Sequence, residues 1–299
     1  MFTNSILLVI DGEYPVRGCL ERTLRLALAL RARVEILLWR DWSSYASQLR
    51  PWGTEEAVQY LHALRHSILC PGVVFTLQAS FGGSLVKLIN EQVRQQNFIM
   101  VVKVRRHGHS WHESSVDCDL MRSCTAPLLL THGHPWAQPP RFAAAVKVLG
   151  EDSTVDRNII QTAAAFQRVC AAHLDLVYAQ PSDAALEAPE GESPALLLLQ
   201  QRAQSCHVDP QSVHVLDGQA GHVVSQFVTA MHYDLLVIGT PRELRHPFWR
   251  WTASSLDEAL TKRSCDLLVV NDDHRNLATA LASAQPTQEC ARTLLAVGT

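Results

Sequence analysis

The 299-residue sequence lacks the long apolar stretches and the strong charge that mark several classes of protein. No apolar run approaches the roughly 18 residues of a membrane-spanning helix, so no membrane insertion is expected. The formal charge of −3 gives no reason to expect nucleic acid or a membrane surface as a partner. The N-terminal MFTNSILLVID has no basic segment before its apolar run, and it therefore predicts a first strand and not a signal peptide.

The sequence also lacks cysteine pairs, because its eight cysteines are scattered without a Cys-x-x-Cys motif. In a chain of this length without a signal peptide they predict reduced thiols and a cytoplasmic protein. Cys124 and Cys265 each precede an apolar run, and we interpret them as small apolar residues at helix–strand corners. A redox function would need a lowered thiol pKa, and only the neighbouring Arg122 and Arg263 hint at one.

Short apolar runs, alternating with helical patterns, are what the sequence has in abundance. Tyr233–Thr240 (YDLLVIGT) is central, because this apolar run ends in Gly-Thr and a basic, aromatic loop follows it. The alternation of strand and helix predicts a parallel sheet with right-handed crossovers. Strands are predicted at Ser5–Asp11, Arg33–Arg40, Val73–Ser80, Phe98–Val104, Ala126–His132, Ala143–Leu149, His173–Gln180, Ser212–Asp217, Tyr233–Thr240 and Cys265–Asn271.

The two halves of the chain follow one plan. Arg122–Cys124 and Arg263–Cys265 are the same tripeptide, and each precedes the final predicted strand of its half. An internal repeat of this kind predicts duplicated domains. Gly133–Arg141 (GHPWAQPPR) is rich in Pro, lacks periodicity and is interpreted as a linker. We therefore predict one domain at residues 1–132, a linker at 133–141, a second domain at 142–272 and a C-terminal tail at 273–299.

These features resemble the universal stress protein family in its tandem form, and most of all its E group. Ser5–Asp11 resembles the first strand of the family, Tyr233–Thr240 the fourth and Ser264–Asn271 the last. Val101–His109 and Met121–Trp136 resemble the E-group first domain, with its V-x-K strand, His-x-His loop and Pro-Trp linker. The resemblance implies α/β domains of the adenine nucleotide alpha hydrolase-like type. Each would be doubly wound on a five-stranded parallel sheet, and the last strands would pair as an internal pseudo-dimer.

The resemblance also implies where a nucleotide would bind. Family members that bind ATP carry G-x-x-G, a spacer and G-S/T after the fourth strand, where backbone N–H groups and a helix N-terminus hold the phosphates. In the second half Gly239 matches the first glycine, Arg242 replaces the second, and Ala253 stands near the third. The candidate anion-binding residues of this half are Gly239, Arg242, Arg245, Arg250, Ser254 and Ser255. A solvated basic loop that packs its aromatic side chains on the surface explains the same pattern.

The first half keeps a different part of that site. Asp11 matches the Asp that contacts the adenine side in the family, whereas Leu149 occupies this position in the second half. Val104 replaces the loop glycine of the first half. Neither half therefore carries the complete pattern, and ATP is a candidate ligand of the second half before the first.

A histidine-rich loop follows the fourth strand of the first half. Imidazoles suit Zn²⁺, so His107, His109 and His112 are candidate zinc ligands, with Glu113 and Asp117 as nearby carboxylates. The spacing H-x-H-x-x-H matches no closed structural zinc pattern. A polar loop that fills the vacant nucleotide cleft explains the residues equally well.

Three functions remain open at this point. The first is a cytoplasmic stress-response protein without catalysis, which binds a small anionic ligand or a protein partner at the ends of the fourth strands. The second is an ATP-binding, slowly hydrolysing switch through the second half. The third is an interaction scaffold that exposes the Phe248–Trp251 loop. No Ser-His-Asp or paired-carboxylate arrangement can be assembled, so no catalytic residue is assigned. A homodimer of tandem chains is a further expectation, with no nucleic acid partner.

Overall fold

The computed structural model describes residues 4–11, 17–40, 59, 72–105, 116–147, 154–180, 194–239 and 265–270. The strands are β1 (Asn4–Ile10), β2 (Ala32–Arg40), β3 (Phe75–Phe81), β4 (Phe98–Val104), β5 (Leu128–Thr131), β6 (Arg141–Ala145), β7 (His173–Gln180), β8 (Ser212–Asp217), β9 (Leu235–Gly239) and β10 (Asp266–Val270). The helices are α1 (Arg17–Ala29), α2 (Leu85–Gln95), α3 (Val116–Ser123), α4 (Thr154–Cys170), α5 (Pro194–Ser205) and α6 (Ala220–Ala230).

All ten strands form one sheet in the order β3-β2-β1-β4-β5-β10-β9-β6-β7-β8. Neighbouring strands are parallel except β5 and β10, which run antiparallel with Leu129 opposite Leu268 at the centre of the pair. Val102 of β4 and Val237 of β9 flank this central pair on either side. The predicted fold is therefore confirmed, since two five-stranded parallel sheets meet through their last strands as an internal pseudo-dimer.

Helices cover the sheet, which is why its central strands are apolar on both sides. All residues of β4 and of β10 are buried, as expected for parallel strands packed on both faces. Leu8 and Val9, neighbours in β1, contribute to two different buried clusters, and each cluster contains residues of both halves. The two halves therefore share their hydrophobic core. None of the helices described is long and apolar enough to cross a bilayer.

The start of β6 differs from its prediction. The strand begins at Arg141, inside the predicted linker, and not at Ala143. The Asp234 carboxylate accepts the backbone N–H groups of Ala137 at 2.9 Å and Arg141 at 2.8 Å, and the Asp234 N–H donates to the Arg141 carbonyl oxygen at 2.8 Å. These bonds from the residue before β9 hold the chain in the sheet earlier than its apolar pattern indicates.

Candidate functional site

The strand ends of the first half bring three charged residues together. Open parallel sheets bind ligands outside the carboxyl ends of their strands. In the pairing of β1 with β4, Val9 lies opposite Lys103, so Asp11, just beyond β1, comes close to the end of β4. Helix α3 carries Asp117 in its first turn. Two strands and one helix thus place Asp11, Lys103 and Asp117 at the location where a ligand is expected.

Lys103 lies between the two carboxylates. Its Nζ is 2.9 Å from Asp11 Oδ2 and 2.8 Å from Asp117 Oδ1, and it also donates to the Val104 carbonyl oxygen at 2.9 Å. The Lys103 side chain is fully buried, and the two carboxylates are almost fully buried. Charged side chains are tolerated inside a protein when they are paired and hydrogen-bonded, as these are. We call Asp11, Lys103 and Asp117 the lysine cluster.

Lys103 carries a fixed positive charge within the lysine cluster. Burial lowers the pKa of Lys103, but the charges and hydrogen bonds of Asp117 and Asp11 outweigh this effect and raise it above the ordinary value of 10.5. Lys103 is therefore protonated at neutral pH. Lysines that act as bases or nucleophiles have a lowered pKa. The arrangement can fasten α3 to the strand ends, but it does not prepare an amine for chemistry.

The structure gives the predicted nucleotide-site residue Asp11 a partner from its own chain. One carboxylate oxygen of Asp11 is paired with Lys103, so a ligand that used this carboxylate would compete with a buried ammonium. No function of Lys103 was predicted from the sequence. The signal was present, because a lysine inside the otherwise apolar run FIMVVKV must find a buried partner.

The corresponding place in the second half is apolar. Lys103 and Ile238 each lie one residue beyond the valine that flanks the centre of the β5–β10 pair, so the two positions correspond. Ile238 is buried in the same cluster as Val9 and Val101. Among the residues that the structure describes, the two strand ends therefore differ, because Ile238 occupies the position of the buried Lys103.

Gly239 ends β9, and packing explains why a glycine stands there. A Cβ built on Gly239 would lie 2.3 Å from Val155 Cγ1 and 2.7 Å from Ile159 Cδ1. The first turns of α4 therefore pack directly on the end of β9, at a distance that leaves no room for a side chain. The phosphate-binding function of Gly239 stays a prediction, since the close approach of α4 requires the glycine in any case.

Gly239→Ala should destabilise the chain even without ligand. We expect a loss of roughly 1–3 kcal/mol, as for other overpacked cores, because the β-branched Val155 cannot easily rotate away. Urea denaturation of the ligand-free protein measures the effect. Val155→Ala removes the side chain that the new methyl group would meet. Gly239→Ala should therefore destabilise the Val155→Ala variant less than it destabilises the wild type. An unchanged midpoint for the single variant would contradict the packing explanation.

The other predicted site residues lie outside the described part of the chain. They are Arg242, Arg245, Arg250, Ser254, Ser255, His107, His109 and His112. Among the residues that the structure describes, no group of three or more His, Cys, Asp and Glu side chains could hold a metal ion. The anion site and the zinc site therefore stay predictions.

A second buried polar cluster lies where the two halves meet. Asp266, the first residue of β10, accepts the His132 backbone N–H and the Trp136 indole N–H, each at 2.9 Å. Its carboxylate also forms an ion pair with Arg22 of α1. All these partners belong to the first half or to the predicted linker. Asp266 therefore fastens the last strand of the second half to three separate segments.

Arg22 completes this cluster from the side of the first half. Its guanidinium donates to the Thr131 hydroxyl and to the His134 carbonyl oxygen. The guanidinium carbon, Cζ, lies 4.4 Å from the centroid of the Trp136 ring. Neither Arg22 nor Asp266 was predicted from the sequence as a functional residue. An aspartate at the start of the apolar run CDLLVV was the available signal, but its partner in α1 is 244 residues away.

The buried cysteines confirm their interpretation as small apolar residues. Cys124 lies between α3 and β5, Cys265 directly precedes β10, and both are buried. Burial raises the pKa of the Cys124 thiol to about 11. Burial, followed by the charges of Asp266 and Asp234, raises the pKa of the Cys265 thiol well above 9.0. Neither thiol is prepared for redox chemistry, which needs an accessible thiolate.

We expect neither Cys124 nor Cys265 to react with iodoacetamide at neutral pH while the chain is folded. The reagent attacks the thiolate, and a raised pKa together with burial keeps the thiolate population very small. Peptide mapping by mass spectrometry after a timed exposure measures the modification of each cysteine. Unfolding in urea should make both react at the rate of a free cysteine. Rapid modification of the native chain would contradict the expectation.

Comparisons with known proteins agree with this architecture. No protein-family model matches the chain. The universal stress protein E homolog of Haemophilus influenzae is 23% identical over 207 residues, which cover 63% of this chain and 67% of the relative. Universal stress protein E of Escherichia coli K12 is 22% identical over 247 residues, or 76% of this chain and 75% of the relative.

Solved structures share the fold at low sequence identity. A putative universal stress protein from Pseudomonas aeruginosa has a TM-score of 0.66 at 20% identity, and the match covers 94% of this chain and 98% of that one. A universal stress protein from Archaeoglobus fulgidus has a TM-score of 0.64 at 11% identity and covers 90% and 97%. The chain is therefore similar in sequence to universal stress proteins of the E group, and it shares the fold of solved universal stress proteins.

Proposed function

We propose that the chain is a cytoplasmic stress-response protein without catalysis, in which the two strand-end clefts have different functions. The cleft of the first half is closed by the lysine cluster and serves the structure. The cleft of the second half binds a small anionic ligand. The observation that carries the proposal is the burial of Lys103 between Asp11 and Asp117.

Charge supports the closure of the first cleft. Two carboxylates flank the ammonium group of Lys103 in the lysine cluster. A phosphate or carboxylate ligand placed there would meet like charge in a poorly solvated site, where such repulsion is strong. The residue that the family resemblance assigns to the adenine side, Asp11, is already paired.

Charge of the other sign supports the second cleft. Lys147 follows β6 at the carboxyl edge of the sheet, and it is exposed. The carboxylate of the nearby Asp156 is engaged by the Lys147 backbone N–H at 2.8 Å and by Arg202 at 3.3 Å. The sequence that follows β9 adds the arginines Arg242, Arg245 and Arg250. Cations of this kind attract phosphate and carboxylate groups.

Calorimetric titration of the purified, chelator-treated chain with Mg-ATP tests the proposal and its ATP alternative together. Saturable binding at micromolar concentration, or roughly 7–8 kcal/mol, that is lost in Arg242→Glu would assign ATP to the second half. Lys87→Glu makes the same charge change on α2 of the first half and is the matched control. If the titration detects no binding, the ATP switch is excluded. The anion is then identified by native mass spectrometry of the gently purified chain.

The location of binding decides the proposal itself. Whatever anion binds, Arg242→Glu should weaken it by tenfold or more, while Asp11→Asn should leave it unchanged. The opposite result, with binding lost in Asp11→Asn and kept in Arg242→Glu, would overturn the assignment to the second half. If neither titration nor native mass spectrometry finds an anion, the interaction scaffold is the better account. Trp249→Ala would then remove a protein partner without a change in any ligand binding.

A further inference from the structure

The contact between the two halves is not symmetric, although the strands that form it are paired about a central point. Leu129 of β5 and Leu268 of β10 face each other at that point. Two residues before the centre, β10 has Asp266, whereas the first half has Pro127. The charged member of this corresponding pair is buried at the boundary, where all the side-chain partners described above for Asp266 come from the first half and the linker.

The first helices of the two halves differ in the same way. Helices α1 and α4 are each followed by a residue in the left-handed conformation, Arg31 at φ 47° and Ala171 at φ 51°. Arg22 precedes Arg31 by the same number of residues as Thr162 precedes Ala171, so Arg22 and Thr162 correspond. Thr162 is fully buried, and its hydroxyl oxygen has no hydrogen-bond partner among the residues that the structure describes.

The two positions that correspond to this buried ion pair therefore hold uncharged residues. Arg22 and Asp266 meet across the boundary, whereas their counterparts are Thr162 and Pro127. We propose that the Arg22–Asp266 ion pair determines which domains pair. It makes a first half complementary to a second half, and it opposes pairing of either half with a copy of itself.

The cost of the wrong pairing follows from the positions. In a pair of two first halves, each Arg22 would face the place of Pro127 and would lose its carboxylate. In a pair of two second halves, each Asp266 would lose the guanidinium and would face the place of Thr162. A buried charge that has lost its partner is strongly destabilising, and a like pair contains two of them. Discrimination between partners commonly depends on such penalties against the wrong partner.

The linker strengthens the choice. The Trp136 indole donates to Asp266 at 2.9 Å, and Arg22 lies over the Trp136 ring. A Cβ built on Gly18 of α1 would lie 1.7 Å from the carbonyl oxygen of Gly133, so the beginning of the linker packs directly on α1. The linker thus places Trp136 beside Asp266 of β10, whereas the corresponding position of the first half is Pro127.

The test requires freeing the halves from their tether after the full chain has folded. A protease site inserted between Ala137 and Gln138, both exposed, allows the linker to be cut in the native protein. The cut halves are then left to exchange, and native mass spectrometry counts first–first, first–second and second–second pairs. For the wild type we expect only first–second pairs, with like pairs depleted at least roughly a hundredfold relative to random pairing.

Two variants show whether the ion pair is responsible. Arg22→Thr/Asp266→Ala should bring like pairs up towards random proportions, and alanine keeps the backbone N–H that Asp266 donates to Asp234. The charge exchange Arg22→Asp/Asp266→Arg should restore exclusive first–second pairing. Like pairs at near-random proportions in the wild type would overturn the proposal. Exclusive first–second pairing in Arg22→Thr/Asp266→Ala would overturn it as well, because other contacts would then decide.

A mixing experiment keeps the proposal falsifiable if the uncharged variant does not fold. Cut chains carrying Arg22→Asp are mixed with cut chains carrying Asp266→Arg. The first half with Arg22→Asp should select the second half with Asp266→Arg, and the two unchanged halves should select each other. A mixture in which each half keeps or finds partners without regard to these charges would overturn the proposal.

Discussion

Lys103→Met is expected to lower the free energy of unfolding by roughly 3–5 kcal/mol, as when one partner of a buried ion pair is removed. Methionine fills much of the same volume, so the loss reports charge more than packing. Asp11 and Asp117 would remain almost fully buried without the ammonium that now lies within 2.9 Å of each. Urea denaturation at neutral pH measures the difference.

Two controls separate charge from shape in this experiment. Lys87→Met removes an exposed lysine of α2 and should change stability by less than about 0.5 kcal/mol. The triple variant Lys103→Met/Asp11→Asn/Asp117→Asn leaves no buried charge, and it should be more stable than Lys103→Met alone. If the triple variant is less stable than Lys103→Met, the carboxylates contribute through contacts other than the ion pairs.

The pH dependence of the same variant has a definite sign. The pKa of Lys103 is higher in the folded chain than its ordinary value of 10.5. A raised lysine pKa stabilises the fold fully below the unfolded value, and this stabilisation is lost as the pH rises through the folded value. The wild type should therefore lose stability above pH 10.5 more steeply than Lys103→Met does. Parallel curves in that range would show that the pKa of Lys103 is the same in the folded and the unfolded chain.

Asp266→Ala is the second change with a large expected effect, also roughly 3–5 kcal/mol. It leaves the buried Arg22 guanidinium without a carboxylate and removes the acceptor of the His132 N–H and of the Trp136 indole. Hydrogen exchange should report the change locally, since the His132 amide loses its protection. Asp209→Ala removes an exposed aspartate of the same half and is the matched control.

A double-mutant cycle shows how much of this effect belongs to the ion pair. The stability losses from mutating two contacting residues are not additive, because the second mutation removes a group that the first has already left unpaired. Arg22→Ala/Asp266→Ala should therefore be markedly more stable than the sum of the two single losses implies. Additive losses would mean that Asp266 stabilises the boundary through His132 and Trp136 and not through Arg22.

The regular elements were predictable wherever the apolar pattern is locally complete. The strands Phe98–Val104, His173–Gln180 and Ser212–Asp217 have the bounds that their sequences predict. The start of β6 did not follow, because Asp234, far along the chain, draws Arg141 into the sheet with side-chain and backbone hydrogen bonds. Local periodicity carries no information about such a distant acceptor.

The site was predictable only in its general place. The strand alternation placed the clefts at the ends of the fourth strands, and the family pattern selected Asp11 and Gly239. The structure adds a contact to each residue that the pattern did not predict, since Asp11 pairs with Lys103 and Gly239 makes room for Val155. Both contacts depend on distances between segments, which a motif does not contain.

The sequence by itself determined the architecture of this protein. The sequence contains apolar runs, helical patterns and a repeated Arg-Ser-Cys tripeptide. These were enough to predict two α/β halves, because the spacing of apolar residues indicates which side of each strand or helix is buried. Only the tertiary structure decided the two charged clusters. The sequence indicates that Lys103 needs a buried partner. Only the arrangement of the strand ends and of α3 places Asp11 and Asp117 beside it. Likewise Asp266 and Arg22 meet only because β5 and β10 pair, since a buried charge is stabilised by whatever the fold places beside it.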